Sequence, residues 1–573
     1  MFTLGIKPSF GYVSDLPMWG THDPGACLLD DGKIVAAAEE ERFTREKHGF
    51  HTFPVESIRF VINNAGIKLD DIGIICVGRN PRNRQELLER FTGTRTDGLQ
   101  AFYDRIGDVI SAAAAYEKAH IEAVDDRIAN EFSREFTGDY IDVSHHACHA
   151  ASAHFCSGFD EQVTITVDGQ GEHDSTVLWD PQLQRVREFS RYNSVGKLYS
   201  DTARYLGFRG ARDAGKVMGL APYGHYNDEI ADGFSEIVSI SKGGYDVTPL
   251  TLSDDPIALL EELFGSCRKY ADDFEQRHRD VAHHLQLITE RIVIRLVKHH
   301  VEAFGIEKVA LAGGVAMNCK TNRKVRHLDC VDELFVQPVA NDSGICLGAA
   351  LLGYRKATGN DPDVDFSHLY HGSSYNTDDV KDVLDNTGLS HKIVDSPSRY
   401  AAEALAEGKL VGWFQGRMEF GARALGNRSI LADPTDPASV DSVNKNVKKR
   451  ENWRPFAPSV LAEATDEYLV DGGQMPYMIM LDKVVADKRK EVPAITHVDG
   501  TTRPQTVHRE TNERYHKLIR EFAEITSCPM VLNTSFNVAG EPIVEHPVQA
   551  VHDFLFTGLD ILVIEDVVID KVG

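Results

Sequence analysis

Two histidines four residues apart stand a short distance before a strand that ends in an aspartate. His145 and His149 lie in a run of small, helix-compatible residues, so on a helix they would share one face. Residues 163–167 are mostly β-branched and lead directly into Asp168 and a glycine. An aspartate at the carboxyl end of a strand is where α/β folds place ligand-binding groups. This stretch therefore predicts an α/β fold with a site at its strand ends.

The same stretch has two interpretations. Two imidazoles on one helix face can bind one divalent metal from one side. A second apolar strand, at residues 334–339, leads into another carboxylate, Asp342. A histidine pair at this spacing is also common on helix surfaces and in satisfied cores, so the pattern alone leaves both open.

Length, charge and cysteine usage narrow the class of protein. A chain of 573 residues is too long for one hydrophobic core, so we expect two to four domains. The net charge of −26 argues against a general nucleic-acid binder. Nine cysteines without a C-x-x-C pair support neither a disulfide framework nor a zinc ribbon. There is no apolar run of membrane-spanning length and no signal-peptide layout, so we expect a cytoplasmic protein with no membrane partner.

The N-terminal region has an α/β layout. A strand at residues 3–7 precedes a hairpin, whose two strands at 27–29 and 34–37 are joined by a strong turn signal, Asp-Asp-Gly. A helix opens at Pro54 and closes at Gly66. A polar, helical region at 81–135 carries no readable motif and is expected to be an insertion.

Two glycine-containing stretches favour a phosphate or nucleotide. Lys216 lies in a glycine-rich loop that can hold phosphate, or can equally be a tight packing turn. A strand at 308–312 runs into Gly313 and Gly314, and Asn318 follows. Small residues there let a backbone approach a nucleotide. The strand with a glycine-rich exit occurs near 167 and near 311, which hints at two similar halves enclosing a cleft, as in actin-like ATPases.

The C-terminal region is locally basic in an acidic chain. A turn-rich stretch at 356–363 is the best domain boundary. Many of the residues beyond it are phosphate-binding types beside glycine, serine and threonine, which suggests an anion site, with a solvated basic face as the alternative. The candidates are Arg417, Arg423, Arg428, Lys445, Lys448, Lys449, Arg450, Arg454, Arg503, Asn533 and Ser535.

Several stretches along nearly the whole chain resemble the NodU/CmcH family of O-carbamoyltransferases. They are HDPGA at 22–26, AEEERFTR at 38–45, HHACHAASA at 145–153, VDGQGE at 167–172, GKVMG at 215–219, RALGNRS at 423–429, WRPFAP at 453–458, RPQT at 503–506 and LNTSFN at 532–537. So many matches in family order are more specific than any one motif.

The resemblance implies two modules. Residues 1–360 would form an actin-like ATPase domain, a duplicated ribonuclease-H-like fold, that binds metal and nucleotide and transfers the carbamoyl group. Residues 366–573 would form a YrdC-like α/β domain that makes carbamoyl-adenylate from carbamoyl phosphate and ATP. A hydroxyl of a small-molecule acceptor, such as a natural product or sugar, would then take the carbamoyl group.

The resemblance also assigns roles to residues. His145, His149, Asp168 and Asp342 would hold a divalent metal, iron or manganese by family, although ligand type excludes neither zinc nor magnesium. Lys216, Gly313, Gly314 and Asn318 would bind the nucleotide. His22 would be a base or orienter near the acceptor hydroxyl, with Lys448 and Arg503 as the other catalytic residues. The phosphates of carbamoyl phosphate and ATP would meet Arg417, Arg423, Arg428, Lys448, Arg454, Arg503, Asn533 and Ser535.

The chain differs from the family's pattern at one place, and several alternative functions stay open. Relatives often have Asp-Ala-Ser where this chain has Asp23 and Pro24, which leaves the acceptor open among an antibiotic sugar, an aminoglycoside, a guanidinium toxin and a Nod-factor-like glycan. A hydrogenase-maturation enzyme would carry C-x-x-C pairs, which are absent. A tRNA threonylcarbamoyl enzyme fits the acidic charge poorly. An actin-like nucleotide-binding regulator without transfer activity would leave the basic cluster unexplained. The sequence predicts no oligomeric state.

Overall fold

The computed structural model describes residues 1–9, 22–50, 52–78, 124–133, 136–385, 387–451 and 453–571. Most of the predicted insertion at 81–135 lies outside the described residues. None of the helices in these ranges combines the length and the apolar character needed to cross a membrane.

The first sheet is built around the N-terminal strand. Its order is β3-β2-β1-β4-β5. The strands β1, β2 and β3 are antiparallel neighbours, whereas β4 and β5 run parallel to β1. Their bounds are β1 Phe2–Lys7, β2 Gly25–Asp30, β3 Lys33–Glu39, β4 Ile72–Gly78 and β5 Asp139–Val143. The predicted hairpin is confirmed, with its turn at residues 31 and 32.

The second sheet repeats this topology. Three antiparallel strands, β6 Val163–Val167, β7 Asp174–Trp179 and β8 Arg185–Ser190, are followed by two that run parallel to β6, namely β11 Lys308–Ala312 and β12 Glu333–Val336. A small hairpin, β9 Ser239–Ser241 and β10 Gly244–Asp246, lies between them in sequence. The order β12-β11-β6-β7-β8 is that of the first sheet, so the two similar halves expected from the repeated strand and glycine pattern are present.

A third, eight-stranded sheet is formed entirely by the C-terminal part. Its order is β13-β22-β21-β14-β15-β20-β16-β19. Its strands are β13 Lys392–Ile393, β14 Val411–Phe414, β15 Arg428–Ala432, β16 Ala457–Leu461, β19 Gln505–Val507, β20 Met530–Ser535, β21 Ile561–Ile564 and β22 Val567–Asp570, and β17 Asp482–Lys483 with β18 Thr501–Thr502 forms a separate pair. The sheet contains both parallel and antiparallel pairs, and helices lie between its strands in sequence, so this part is mixed α/β as well.

Helices connect and cover these sheets. They are α1 Glu41–Thr44, α2 Val55–Ala65, α3 His145–Cys156, α4 Val195–Tyr205, α5 Ala214–Leu220, α6 Asp228–Ile237, α7 Thr248–Thr251, α8 Pro256–Phe264, α9 Gln276–Phe304, α10 Cys319–Arg326, α11 Ile345–Thr358, α12 Thr377–Asp385, α13 Pro397–Ala406, α14 Ala438–Ser442, α15 Thr465–Tyr468, α16 Glu513–Thr526 and α17 Pro547–Phe556. The predicted end of α2 at Gly66 is confirmed, because Gly66 has a left-handed φ of 66° and its N–H returns to the last turn.

Two element predictions differ from the structure. The strand expected at 334–339 ends at Val336, because the chain turns towards the site at residues 337–341. The glycines after β11 lead into a short 3₁₀ turn, Gly314–Met317, and α10 starts only at Cys319. Asn318 caps that helix through its side-chain oxygen, which accepts the backbone N–H of Thr321 at 3.1 Å.

Candidate active site

Four predicted side chains converge at the strand ends of the two N-terminal sheets. His145 and His149 project from the first turns of α3, Asp168 follows β6, and Asp342 stands in the turn before α11. One ligand atom from each lies within 4.8 Å of all the others. The closest pair is His145 Nε2 and Asp168 Oδ2 at 2.7 Å. Two imidazoles and two carboxylates at this spacing are a donor set for a divalent cation.

Burial distinguishes this cluster from a helix surface. His149 is 0% exposed, and neither of its ring nitrogens has a hydrogen-bond partner in the part of the chain described. Its Nε2 lies 3.7 Å from Asp168 and 3.8 Å from Asp342, too far for hydrogen bonds. A buried imidazole with nothing to bind is costly, so the position is explained when a cation lies between these atoms.

In Asp168 and in Asp342, one carboxylate oxygen is bound by a protein donor and the other faces the histidines. Asp168 Oδ1 accepts the backbone N–H of Gly314 at 2.8 Å, and its Oδ2 faces the histidines. Asp342 Oδ2 pairs with the ammonium of Lys7 at 3.0 Å, and its Oδ1 faces the histidines. Such outer contacts orient ligands in metal sites.

The start of α3 is fixed by a third carboxylate. Both oxygens of Glu172 accept the backbone N–H of His145, at 3.0 and 3.1 Å. A negative charge at a helix N-terminus is favourable. His146 points away from the cluster and is tied to Thr166 Oγ1 and the carbonyl of Asp174.

The cluster is electrostatically coupled. Burial would lower the pKa of His149, but the carboxylates of Asp168 and Asp342 outweigh it and raise the pKa to about 9. Burial would raise the pKa of Asp342, but Lys7 and His145 hold it well below its usual range. Without a metal, the cluster is therefore a buried set of carboxylates balanced by cationic groups.

His22 lies beside this cluster. Its Nδ1 is 2.9 Å from Asp23 Oδ2, and its carbonyl accepts the ammonium of Lys7, the same group that pairs with Asp342. Burial would lower the pKa of His22, but the nearby Asp342 and Asp23 carboxylates raise it. The predicted catalytic histidine thus adjoins the four converging side chains.

Sequence reasoning missed four neighbours of this site. Lys7, Asp23, His48 and Asn341 contact its members. A lysine that ends an apolar first strand was the available signal for Lys7, because a buried lysine needs a partner. His48 gave no signal in sequence, because the chain brings it to Asp23 only through the fold.

The proposed nucleotide-binding residues lie next to the same strand ends. Gly313 has a φ of 93°, and a Cβ there would lie 2.3 Å from the carbonyl of Val167. Gly314 faces Asp168 in the same way, at 2.7 Å from Oδ1. The glycines therefore serve the close approach of β11 to β6. The amide of Asn318 donates to Gln286 Oε1 at 2.9 Å, so that side chain is held by α9.

Lys216 joins the N-terminal and C-terminal parts. Its ammonium lies 3.1 Å from Glu451 and 3.5 Å from Asp213. The Lys216 ammonium is thus paired with two carboxylates of the protein itself, and its predicted contact with a nucleotide stays a prediction.

A second candidate site lies in the C-terminal part around a buried lysine. Lys448 is 5% exposed, and its ammonium donates to Ser535 and Asn537, to the backbone carbonyl and the side-chain oxygen of each, at 2.5 to 3.3 Å. Burial lowers the pKa of Lys448 well below its usual range, and the cationic Arg450, Lys47 and Arg454 lower it further. An anion would relieve that repulsion.

Arginines cluster next to this lysine, directly or through one another. Arg423 has its pKa lowered to about 9 by burial and by the neighbouring Arg503 guanidinium. The Nε atoms of both are buried without a hydrogen-bond partner among the residues described. Burial and Arg454 likewise lower the pKa of Arg450 to about 9. Like charges held together in this way form a site for a polyanion.

Three of the predicted phosphate-binding residues lie elsewhere in the packing. Arg428 is 0% exposed, donates to the carbonyls of residues 373, 415, 416 and 427, and stacks 3.5 Å over Phe414. Arg417 donates to the carbonyls of residues 35, 371 and 372. The amide of Asn533 donates inside the third sheet, to Ser459 among others. The donors named here bind protein oxygens, whereas the Nε of Arg428 is buried without a partner among the residues described, so a phosphate role for the three stays a prediction.

Comparison with known proteins identifies the family. The family described as "Carbamoyltransferase N-terminus" matches residues 18–351, and "Carbamoyltransferase C-terminus" matches residues 402–571. The chain belongs to the carbamoyltransferase family. As a member it is a carbamoyltransferase, and the four converging side chains lie within the N-terminal match.

Relatives of this carbamoyltransferase include nodulation proteins. It is 38% identical to nodulation protein NolNO of Sinorhizobium fredii, over 100% of this chain and 83% of that protein. It is 40% identical to NolO of Bradyrhizobium diazoefficiens, over 75% of this chain and 79% of that protein. It is 27% identical to nodulation protein U of Rhizobium fredii, over 91% of this chain and 89% of that protein.

Solved structures give weaker likenesses. A ROK hexokinase from Thermus thermophilus aligns with a TM-score of 0.31 at 14% identity, over 63% of this carbamoyltransferase and 100% of that chain. HypF from T. kodakarensis aligns with a TM-score of 0.30 at 14% identity, over 64% of this chain and 49% of that one. Both TM-scores are below 0.5, so the architecture rests on the strand order.

Proposed function

We propose that this carbamoyltransferase is ATP-dependent and acts on a hydroxyl group. The C-terminal site would form carbamoyl-adenylate, and the N-terminal site would pass its carbamoyl group to a small-molecule acceptor. The observation that carries the proposal is the convergence of His145, His149, Asp168 and Asp342 in one buried cluster. The cluster is separate in sequence from the basic site around Lys448, which suits a reaction in two stages.

The first stage converts carbamoyl phosphate into carbamoyl-adenylate in two steps. Water releases inorganic phosphate from carbamoyl phosphate and leaves carbamate. A carbamate oxygen then attacks the α-phosphorus of ATP, and pyrophosphate leaves. Lys448, Arg423, Arg454 and Arg503 would neutralise the phosphate oxygens, and Ser535 would orient the Lys448 ammonium, to which it is already bound.

The second stage transfers the carbamoyl group. The acceptor oxygen attacks the carbamoyl carbon, AMP leaves, and the hydroxyl proton passes to a base, for which His22 is the candidate. The four-residue cluster fits a divalent metal, since it offers two imidazoles, two carboxylates and an otherwise unpaired buried His149. Such an ion would bind phosphate oxygens and polarise the reacting group, and iron or manganese is our choice from the family.

The finer architecture is also part of the proposal. The repeated strand order supports an actin-like, duplicated ribonuclease-H-like domain at residues 1–360. The separate eight-stranded sheet supports a YrdC-like domain at 366–573. Lys216, Gly313, Gly314 and Asn318, close to the first domain's strand ends, are the proposed nucleotide contacts.

The test follows both products of ATP cleavage. The protein is incubated with carbamoyl phosphate, ATP, Mg²⁺ and Mn²⁺, and pyrophosphate and AMP are measured by mass spectrometry. We expect pyrophosphate that depends on carbamoyl phosphate and falls at least about a hundredfold in Lys448→Ala. The control is Lys409→Ala, which removes an exposed lysine elsewhere in the C-terminal part.

Binding of ATP without carbamoyl-phosphate-dependent turnover would contradict the proposal. It would favour the alternative of an actin-like nucleotide-binding regulator. A threonylcarbamoyl enzyme acting on tRNA would require threonine and bicarbonate in place of carbamoyl phosphate, which the same assay separates.

A further inference from the structure

One carboxylate joins two imidazoles beside the four-residue cluster. Asp23 Oδ2 lies 2.9 Å from His22 Nδ1, and Asp23 Oδ1 lies 2.8 Å from His48 Nδ1. The amide of Asn341 also donates to Oδ2, at 3.1 Å. The two rings stand 6.2 Å apart between centroids at an interplanar angle of 76°. Asp23 is thus shared by both histidines rather than paired with one.

The backbone holds this carboxylate in place. Asp23 is 6% exposed and has a φ of 56°, a left-handed conformation that is costly for a residue with a side chain. Its N–H donates to the carbonyl of His48 at 2.7 Å, and the N–H of His48 donates to Glu41 at 2.6 Å. Residues on both sides of the bridge are therefore fixed through main-chain contacts.

The bridge selects the tautomer of both rings. The hydrogen bonds from His22 and His48 lower the pKa of Asp23 and outweigh the effect of its burial. An ionised carboxylate only accepts, so each Nδ1 must donate its hydrogen. In a neutral ring the lone pair then lies on Nε2, and Nε2 of neither ring has a hydrogen-bond partner among the residues described. The side chains are 40% and 30% exposed.

A second cation site is an alternative at this place, because donor atoms of Asp23, Glu41 and His48 also converge. Their contacts argue against it. Both oxygens of Asp23 accept from histidines, and Glu41 accepts from the N–H of His48 and pairs with Arg42 at 3.0 Å. The cluster already satisfies its own charges.

We infer that Asp23 is a positioning residue that fixes His22 and His48 as a pair of Nδ1-protonated imidazoles, and that His48 is a second imidazole at the acceptor site. This rests on the proposed function. One Nε2 would take the proton of the acceptor hydroxyl while the other accepts a hydrogen bond from a neighbouring donor of the acceptor. The acceptor class is then one with two adjacent hydrogen-bond donors, at least one of them a hydroxyl.

The test reads the tautomers directly in the full-length protein. Histidines are labelled with ¹⁵N, and long-range ¹H–¹⁵N correlations are assigned with His22→Gln and His48→Gln. At a pH at which both rings are neutral, we expect Nδ1–H signatures for both rings in the wild type, a mixture of tautomers in Asp23→Asn, and recovery in Asp23→Glu. Asp30→Asn, at the exposed end of the same β2 strand, is the matched control and leaves both signatures unchanged.

Two further readouts separate this inference from the proposed function. Pyrophosphate release with carbamoyl phosphate and ATP is measured in parallel and should be unchanged within about twofold in the control Asp30→Asn, whose side chain is exposed. Its absence in the wild type contradicts the proposed function and leaves the tautomer result standing. Nδ1–H signatures that persist in Asp23→Asn would overturn the inference. If the Asp23 variants do not fold, His48→Gln decides it, since loss of the Nδ1–H signature of His22 there would equally overturn it.

Discussion

At His149, two physical costs point to the same answer. Its imidazole is fully buried, and its nitrogens lack hydrogen-bond partners among the described residues. Both raise the free energy of the folded protein, and a cation bound by the ring nitrogen would offset them. Single residues therefore carry the metal assignment, and single substitutions test it.

Replacing His149 with alanine should weaken metal binding. The variant loses one of the four donors. We expect at least a tenfold weaker affinity for Mn²⁺, measured by titration of metal-stripped protein. His154→Ala, in the same helix but outside the cluster, is the control and should bind as the wild type does. Equal affinity in both variants would contradict the assignment.

Residue patterns predicted some contacts and missed others for a physical reason. The histidine spacing and the aspartates at strand ends are local features, and the structure brings all four side chains together. Lys7 meets Asp342, and His48 meets Asp23, only through the tertiary fold. Composition alone likewise does not separate a guanidinium such as that of Arg428, which donates to backbone carbonyls, from one whose donors are all free for phosphate.

At the level of elements, the turn after β11 determines how Asp168 is held. Gly314 supplies the N–H that anchors Asp168 Oδ1, and it does so at a distance that leaves no room for a side chain. The glycines were predicted to let the backbone approach a nucleotide, which stays a proposal, and the structure shows that they allow the close approach of a neighbouring strand and a carboxylate. Periodicity predicted the strands, whereas this close approach depends on how β6 and β11 are paired.

Gly314→Ala should weaken metal binding without unfolding the protein. Its Cβ would lie 2.7 Å from Asp168 Oδ1 and would push that carboxylate out of position. We expect a loss of about tenfold or more in Mn²⁺ affinity. Gly169→Ala is the matched control, because a Cβ there meets no atom within 4 Å. A Gly314→Ala protein that binds metal normally would show that the anchor is dispensable.

For the whole molecule, the N-terminal and C-terminal parts are joined by buried polar contacts. Arg42 pairs with Glu39 at 2.9 Å and with Glu41 at 3.0 Å, and it donates to the carbonyl of Gly421 at 2.8 Å. Glu39 in turn accepts the N–H of Gly421 at 2.9 Å. The acidic end of the hairpin, which lies in the AEEERFTR stretch at 38–45, is thus part of the contact between the two parts.

Arg42→Ala should destabilise the protein strongly. It leaves Glu39 and Glu41 without their cation in a buried setting, which costs about 3–5 kcal/mol. Thermal unfolding measures the loss. Arg59→Ala, which removes an ion pair whose side chains are 40% and 46% exposed, should cost less than about 1 kcal/mol. Similar losses for the two variants would contradict the contact described here.

The C-terminal part should lose stability in mild acid because of His371. Burial, with the nearby His368 and Arg417, lowers its pKa to about 3. Below about pH 6.5 the imidazole of His371 is therefore protonated in the unfolded chain but stays neutral in the folded chain. Stability should fall by at most about 1.4 kcal/mol per pH unit between about pH 6.5 and 3. His371→Asn should reduce this slope in thermal unfolding at pH 7 and 5, and an unchanged slope would rule out His371 as its source.

The division of labour between the two sites is tested most directly by pyrophosphate release in three proteins. The wild type, Lys448→Ala and Asp168→Asn are each given carbamoyl phosphate, ATP and Mg²⁺. We expect release that depends on carbamoyl phosphate in the wild type and in Asp168→Asn, and a fall of at least about a hundredfold in Lys448→Ala, because we propose that the adenylate forms at the C-terminal site. Release that survives in Lys448→Ala, or that disappears in a folded Asp168→Asn, would contradict the two-site account.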